Sequence, residues 1–525
     1  MASGTRKWGA LVALALAVLV VGLDLTVLNL ALPTLATDLH ASTSDLQWFI
    51  SAYTLVLAAV LLPAGLMGDR YGRKKVLLAS LALFGVASIA CAYSGSAGAL
   101  IAARAVLGLG AAAILPLSLS VLPVLFTPQE RPKAIAGVTA AVFISYPIGP
   151  ILGGWLLDNF WWGSVFLINV PVVLVALAAV ATLMPESRSE HRPRVDVAGM
   201  LISSIGLTGL TYGVIRAGQD GWSNAIAIAT IVAGAAMLAA FVAWERRVSR
   251  VGQPLVDLTL FRSAGFTWGT VLTTLVSFAL FGLLFAMPLY FQEVRGLDAL
   301  GSGVRLLPMI GGMMVGLVAG GRLGTPRKAP AGQPAREPRV NAKILVTAGF
   351  VLMAAALAMG AATSVHSGTG YAAFWFATIG LGLGIAMPAA MNAALSALSA
   401  ERSGSGAAVI TAMRQVGATI GVAVLGTVLT SVYRSRLELA TLPAQAADAV
   451  RKSVASGIAV AEQAGSAALL DMVRTAFVHA MDVMLWLCGG IALTAALLAL
   501  AFLPRRADGG EPGRQEVRTA DEIGV

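Results

Sequence analysis

Apolar residues run along this chain in long unbroken stretches, and polar residues gather in the short segments between them. Several charge-free stretches reach the roughly 20 residues that a membrane-spanning helix needs: 46–68, 105–129, 134–157, 159–185, 221–244, 263–292 and 483–504. The uncharged stretch 76–103 is divided by Ser94-Gly95-Ser96. The stretch 344–400 holds two helices with a break around Ser364–Gly370. Allowing one charge inside some helices, the pattern predicts fourteen spans. They fall near 11–31, 46–66, 76–94, 99–124, 134–156, 164–184, 196–216, 224–244, 266–290, 302–322, 343–362, 371–397, 407–432 and 476–503. The first is too long, and too poorly flanked by a small-residue cleavage site, to be a removed signal peptide.

Little is left between the spans. The inner loop 323–342 is rich in Pro, Gly and Arg and reads as flexible, and the polar tail 507–525 reads as disordered. The outer segment 433–475 is Ala-rich with scattered charges, enough for one or two surface helices. A soluble catalytic domain has nowhere to sit. The expected organisation is an N-terminal six-helix bundle (1–195), two linking spans (196–250), a C-terminal six-helix bundle that includes 433–475 (251–506), and the tail.

Composition agrees. Hydrophobic residues make up 58% of the 525, charged residues 12%, and mean hydropathy is +0.82. Soluble domains carry about twice that share of charge. Cys91 and Cys488 lie far apart in apolar runs and read as small buried hydrophobes. The formal net charge of +10 would suggest nucleic acid in a soluble protein, but its distribution has a topological explanation. With a cytoplasmic N-terminus, the inward segments hold 26 of the 36 Lys and Arg residues and the outward segments 7. Arg104, Arg305 and Arg414 fall inside helices. This positive-inside bias places both termini in the cytoplasm.

Within the spans, Asp24 is the most informative residue, a carboxylate in an otherwise apolar helix. A charge there costs about 2.5–3.5 kcal/mol on insertion scales and needs a partner, a water-filled cavity or a proton. Two roles fit, a proton carrier and a structural hydrogen-bonding group. Arg104 lies at similar depth in the fourth span and is its natural partner; a snorkelling arginine is the alternative. The inner loop Gly68-Asp69-Arg70-Tyr71-Gly72-Arg73-Lys74-Lys75 combines a tight turn with basic residues suited to an anionic leaflet. Topology explains its cations and leaves Asp69 over, which suits either a cytoplasmic gate or a plain loop. The fifth span holds Pro147 and Pro150, which bend the helix, and Gly149, Gly153 and Gly154, which admit a close neighbour. Gly312-x-x-x-Gly316-x-x-x-Gly320 and Gly417-x-x-x-Gly421 read as packing surfaces.

Taken in order, Asp24 with Asn29 and Pro33, the Gly68-to-Lys74 loop, Arg104 with Gly108 and Gly110, and Gly149-Pro150-x-x-Gly153-Gly154 resemble the motifs of the major facilitator superfamily, specifically its fourteen-span drug:proton antiporters. The resemblance implies an all-α membrane protein with two six-helix bundles, two extra central helices and cytoplasmic termini. It implies export of hydrophobic, often cationic molecules against inward proton flow. By resemblance, Asp24 with Arg104 couples protons, Gly68, Asp69, Arg70, Gly72 and Arg73 form the cytoplasmic gate, and Gly149, Pro150, Gly153 and Gly154 mark an antiporter.

Three departures stand out. Ser145 replaces a frequent Gly. Gly316 to Arg322 is a degraded second copy of the gate loop, without its Asp. The thirteenth span carries Arg414 and Gln415 where some cation exporters carry an acid, and the C-terminal half has no acid in mid-helix; Glu293 reads as interfacial. The expected substrates are therefore neutral, monocationic or even anionic amphiphiles. Asn29, Tyr53, Tyr146, Phe281, Phe285, Arg414 and Gln415 are candidate cavity residues, with Trp48, Phe143, Phe278 and Tyr290 as further aromatics.

His40, His191, His366 and His479 lack metal-ligand spacing, and no phosphate-binding loop or Ser/His/Asp set occurs. The expectation is a non-enzymatic exporter of the bacterial cytoplasmic membrane, driven by the proton gradient. Its partners are a hydrophobic small molecule, protons and the lipid bilayer; no cofactor, metal, ATP or nucleic acid is expected. Rival readings are a lipid or metabolite exporter, a nutrient importer, and a membrane-embedded enzyme or sensor.

Overall fold

The computed structural model describes residues 4–127, 129–188, 196–251, 254–324, 340–364, 367–398, 402–440 and 442–504. Residues 325–339 of the inner loop, the tail 507–525, His191 and His366 fall outside the described residues, as does the side chain of Phe143. Among the described residues the chain is helical without strands, and fourteen helices are long and apolar enough to cross a membrane. Each matches one of the fourteen stretches predicted from hydropathy. The protein is a multi-pass membrane protein.

Helices α1 (Gly4–Asp38), α2 (Thr43–Tyr71), α3 (Arg73–Ala92), α4 (Ala97–Leu125) and α5 (Arg131–Asn159) come first. The sixth span is a short turn, α6 (Ser164–Leu167), followed by α7 (Asn169–Leu183). Two further helices, α8 (Val197–Asp220) and α9 (Ala225–Val251), lead to the second half. That half contains α10 (Ala264–Leu289), α11 (Ala299–Gly324), α12 (Ala342–Gly360), α13 (Thr369–Ser396) and α14 (Ser403–Ser435). After α15 (Ala444–Lys452) and α16 (Val454–Gln463), the last span is α17 (Ala467–Phe502).

The helices begin where the chain supplies acceptors for their free N–H groups. Ser42 and Asp45 form a capping box at α2, and the side chains of Asp196, Asn341 and Ser466 cap α8, α12 and α17. Inside the spans, hydroxyls bond back to their own helix, as Thr26 does to Leu23 O (3.0 Å) and Ser118 to Ile114 O (2.6 Å). These bonds let polar side chains stay in an apolar setting.

Glycine packing sets the closest helix pairs. Gly312 and Gly316 of α11 lie against Ala377 and Leu381 of α13, while Gly380 and Gly384 of α13 lie against Met309 and Met313 of α11. Gly417 and Gly421 of α14 face the Thr274 and Phe278 carbonyls of α10, at 2.5 and 2.3 Å from where a Cβ would stand.

The extra pair α8–α9 sits on one flank of the molecule. Leu207 of α8 packs with Leu55 and Ala58 of α2 and with Val416 and Ile420 of α14. Farther along, Thr427 donates to Val214 O (3.0 Å). Helix α8 therefore closes the seam between α2 and α14, and α9 turns most of its surface away from the protein.

The outer segment forms two helices, α15 and α16, broken at Ser453 and packed down through Val450, Val454 and Ala461. Tyr433 Oη donates to Val450 O (3.0 Å), Thr43 Oγ1 to Lys452 O (3.3 Å), and Lys452 Nζ to His40 O. This cap joins the end of α1 and the start of α2 to α14.

Candidate functional site

The apolar sequence around Asp24 places its carboxylate inside the first half, where Arg104 of α4 meets it. Arg104 Nη1 lies 2.6 Å from Asp24 Oδ2, and each side chain is 1% exposed. Arg104 Nε donates to Phe49 O on α2 (3.0 Å), and the guanidinium stacks over the Tyr53 ring at 4.4 Å, with the Phe166 ring at 5.9 Å. Gly108, one turn farther along α4, lets the Tyr53 backbone approach to 2.5 Å from the position of a Cβ. The pair therefore ties α1, α2 and α4 into one unit. Charges buried this way are expensive to desolvate and tolerable because each has a partner; removing one leaves the other uncompensated.

Two seams join the halves, and each starts one helix away from this pair. The first runs between α2 and α14. Gln47 Nε2 donates to the carbonyls of Val422 and Ala423 (3.3 Å each), and the Thr54 and Thr419 hydroxyls bond at 2.7 Å. The second runs between α5 and α11 and uses the proline–glycine motif. On one side of α5, Gly149 and Gly153 receive Thr26 and Val27 of α1, leaving no room for a Cβ. On another side, Gly154 sits 2.5 Å, measured from a would-be Cβ, from Leu300 Cα, and the Pro150 carbonyl lies against Gly303 of α11. Asp158 completes the contact: Oδ1 accepts from Ala299 N (3.0 Å) and Oδ2 from Leu300 N (2.9 Å). The first half thus caps the N-terminus of a helix in the second, a favourable setting for a carboxylate. A third link, Gln292 Nε2 to Leu30 O (2.9 Å), joins the π-helical turn Tyr290–Val294 after α10 to α1. The hydrogen-bonded contacts of the α5–α11 seam lie at the C-terminal end of α5 and the N-terminal end of α11.

The loop motif makes a tight joint between α2 and α3. Gly72 has φ +115°, which only glycine adopts easily. Gly68 lies against Leu117 of α4. Asp69 Oδ1 pairs with Arg73 Nη2 (2.8 Å) and Nε (2.9 Å), and the Arg70 guanidinium lies 5.4 Å from the Tyr71 ring centre. Arg73 N donates to Ser187 O (2.8 Å), Lys74 N to Glu186 Oε1 (3.1 Å), and Lys74 Nζ to Ala181 O (2.6 Å). These partners all belong to the first half. Nearby, Lys7 Nζ meets Glu130 Oε1 at 2.6 Å, and this hydrogen bond, helped by Thr127 N, holds the Glu130 carboxyl below the usual carboxylate range.

The candidate cavity residues divide into two groups. Asn29, Tyr53 and Phe285 are packed inside their own half, and Phe281 almost so; the first three therefore form no open wall in this conformation. Tyr146, Arg414 and Gln415 keep partial access. Arg414 Nε reaches Ser277 Oγ of α10 at 3.4 Å, and the side chain of Tyr146 on α5, in the other half, lies nearby. The expectation that the second half carries no acid in mid-helix needs correction. Helix α17 begins at Ala467, so Asp482 lies within it, short of the midpoint, with Oδ1 buried and unpartnered. Asp158 and Glu186 also escaped the sequence reading; each sits at a helix end and looks like ordinary interfacial charge. Cys91 and Cys488 are free and buried.

Comparison with known proteins adds a family to this geometry. A model described as Major Facilitator Superfamily matches residues 14–422. The tetracenomycin C resistance and export protein of Streptomyces glaucescens is 34% identical over 525 residues, covering 97% of this chain and 94% of the relative. The multidrug efflux pump LfrA of Mycolicibacterium smegmatis is 33% identical over 504 residues, covering 95% of each chain. The methyl viologen resistance protein SmvA of Salmonella typhimurium is 32% identical over 510 residues, covering 95% of this chain and all of the relative. Among solved structures, a bacterial homologue of the human lysosomal transporter Spinster superposes with a TM-score of 0.67 at 15% identity, covering 95% of this chain and 98% of that one. A D-xylose–proton symporter does so with a TM-score of 0.60 at 13% identity, covering 96% and 99%. Fourteen spans, the ordered motifs and these matches lead to one statement: the chain belongs to the Major Facilitator Superfamily.

Proposed function

We propose that this protein is a proton-coupled exporter of hydrophobic and amphipathic small molecules, a drug or antibiotic efflux pump of the bacterial cytoplasmic membrane. Relatives named for resistance and export along nearly the whole chain support the class of cargo. The observation that carries the coupling is the buried Asp24–Arg104 pair and its position between the two seams.

Protonation of Asp24 removes its charge and loosens Arg104, which keeps the Phe49 carbonyl and the Tyr53 ring. Two paths lead outward from there. Thr26 and Val27, on the same helix as Asp24, are the residues that Gly149 and Gly153 pack on, so a shift of α1 is felt by α5 and hence by α11. Phe49 and Tyr53 share α2 with Gln47 and Thr54, which hold α14. A change at one pair thus biases both seams, as alternating access between two bundles requires. Each proton moving inward supplies about 2.3 kcal/mol per 100 mV of membrane potential, plus the pH term.

The test is transport of a lipophilic dye into or out of proteoliposomes under an imposed pH gradient, for wild type and Asp24→Asn. Gradient-driven flux in wild type that is lost in Asp24→Asn is the expected result. Equal flux in both removes Asp24 from coupling, and a signal or product without vectorial flux overturns the exporter.

A further inference from the structure

Arg414 differs from Arg104, the other arginine deep within a described span. Arg104 has Asp24, and Arg216 has Asp220 at 3.0 Å. Arg305 donates to Gly301 O on its own helix, and Arg434, at the outer end of α14, donates to Gln219 O and Arg451 O. Arg414 lies about 16 Å along α14 from its inner end, well inside the membrane. No carboxylate comes within 4.0 Å of it among the described residues; its neighbours are the Ser277 hydroxyl at a long 3.4 Å and the Tyr146 side chain. Asp24 is no substitute, because it is closed off with Arg104. Asp482 lies at another level, beside Tyr290.

A guanidinium at this depth with only hydroxyl partners is under-compensated. It also remains partly accessible, unlike its neighbours Ala412 and Gly417. Ser277 and Tyr146 belong to different halves, so Arg414 sits where a molecule passing between the halves would lie. The surroundings are aromatic: Tyr146 lies nearby, and Phe281, almost packed away, is one turn beyond Ser277 on α10. A planar guanidinium beside aromatic rings suits an anionic group carried on an aromatic body, bound through charge-assisted hydrogen bonds.

Building on the exporter reading, we infer that Arg414 is the substrate's anion site, and that the preferred cargo is an aromatic amphiphile with one negative charge, a carboxylate or an ionised phenol. Tyr146 positions the guanidinium in the unloaded protein and yields to the substrate oxygen. An electrical consequence follows. With the inside negative, an outgoing monoanion exchanged for one incoming proton moves two charges in the favoured direction. Exchange of a monocation for one proton moves no net charge.

The probes are fluorescein, used in mildly acidic buffer where its phenol is protonated and it is a monoanion, and rhodamine 123 as the cation. Binding to purified protein is read by fluorescence polarisation, and flux in proteoliposomes with and without a valinomycin-set potential. Wild type is expected to bind fluorescein and to export it faster when the potential is imposed. Arg414→Gln should weaken fluorescein binding at least tenfold, Arg414→Lys should restore part of it, and rhodamine 123 binding should be unchanged or stronger in Arg414→Gln. Unfolding midpoints of the three proteins verify that each is folded. Wild type that binds neither dye, prefers rhodamine 123, or binds fluorescein equally with Arg414→Gln overturns the anion site. Arg414-dependent fluorescein binding without proton-driven flux of either dye sustains the site and overturns the exporter. Proton-driven rhodamine 123 flux together with fluorescein binding indifferent to Arg414 does the reverse.

Discussion

The two halves treat buried charge in opposite ways. In the first, Asp24 and Arg104 neutralise each other at 2.6 Å, and the arginine's remaining contacts go to a carbonyl and two rings. In the second, Arg414 has a weak hydroxyl contact and a tyrosine borrowed from the other half. The first arrangement is self-sufficient. The second is incomplete, and a ligand can complete it. On the proposed reading, coupling and cargo recognition lie in different halves and meet through the seams.

The sharpest way to break this contrast is to truncate each arginine and measure stability in detergent. Arg104→Ala strands a buried carboxylate and should lower unfolding stability by about 3–5 kcal/mol. The double variant Asp24→Asn with Arg104→Gln should recover most of that while remaining unable to couple transport to the proton gradient. A comparable loss in the double variant would mean that the rings and carbonyl around Arg104, and not the charge pair, hold the helices.

The seams come next. Gly154→Leu places a side chain where Leu300 Cα lies 2.5 Å from a Cβ. It should cost about 1–3 kcal/mol through overpacking and push α5 from α11. A cysteine introduced at Ala299 should then label faster from the outer side than in the unmodified seam. Asp158→Ala, which deprives the first N–H groups of α11 of their acceptors, should act in the same direction at about 1 kcal/mol. Unchanged labelling in both would detach the glycine motif from outer closure.

Arg414→Gln should change stability by less than about 1 kcal/mol or raise it, because no acid is left behind. A loss as large as that of Arg104→Ala would show that Arg414 is structural and already satisfied.

The smallest effect belongs to the half-buried pair Lys7–Glu130. The carboxyl's pKa is lowered in the folded protein by its hydrogen bonds. Any stability it contributes is therefore present at neutral pH and fades as pH falls through that lowered value. Glu130→Gln should be nearly silent at pH 7, and its small difference from wild type should vanish on acidification.

The spans were legible because hydropathy over 20 residues is a strong signal. The Asp24–Arg104 pair was legible because a lone charge in an apolar helix must find its opposite. The wall of the cavity was less so. In a helix apolar on every side, periodicity does not separate a ring turned toward a neighbouring helix from one turned toward an opening. Tyr53 and Phe285 therefore looked like lining residues, and the structure packs both away. Asp158 and Glu186 were hidden for a different reason. Their partners, the first N–H groups of α11 and α3, lie more than a hundred residues away or at the far end of a half. Asp482 was passed over because α17 starts well before its most apolar stretch.

The placement of α8 against α2 and α14 gives the molecule a front and a back within the plane of the bilayer. A compound dissolved in the lipid meets, on one flank, a seam already plastered over by two extra helices. On the opposite flank it meets α5 and α11 with no such covering, held together by glycine faces and a single carboxylate cap. The linking pair α8–α9 thus shields one seam from the lipid and leaves the other without such a cover.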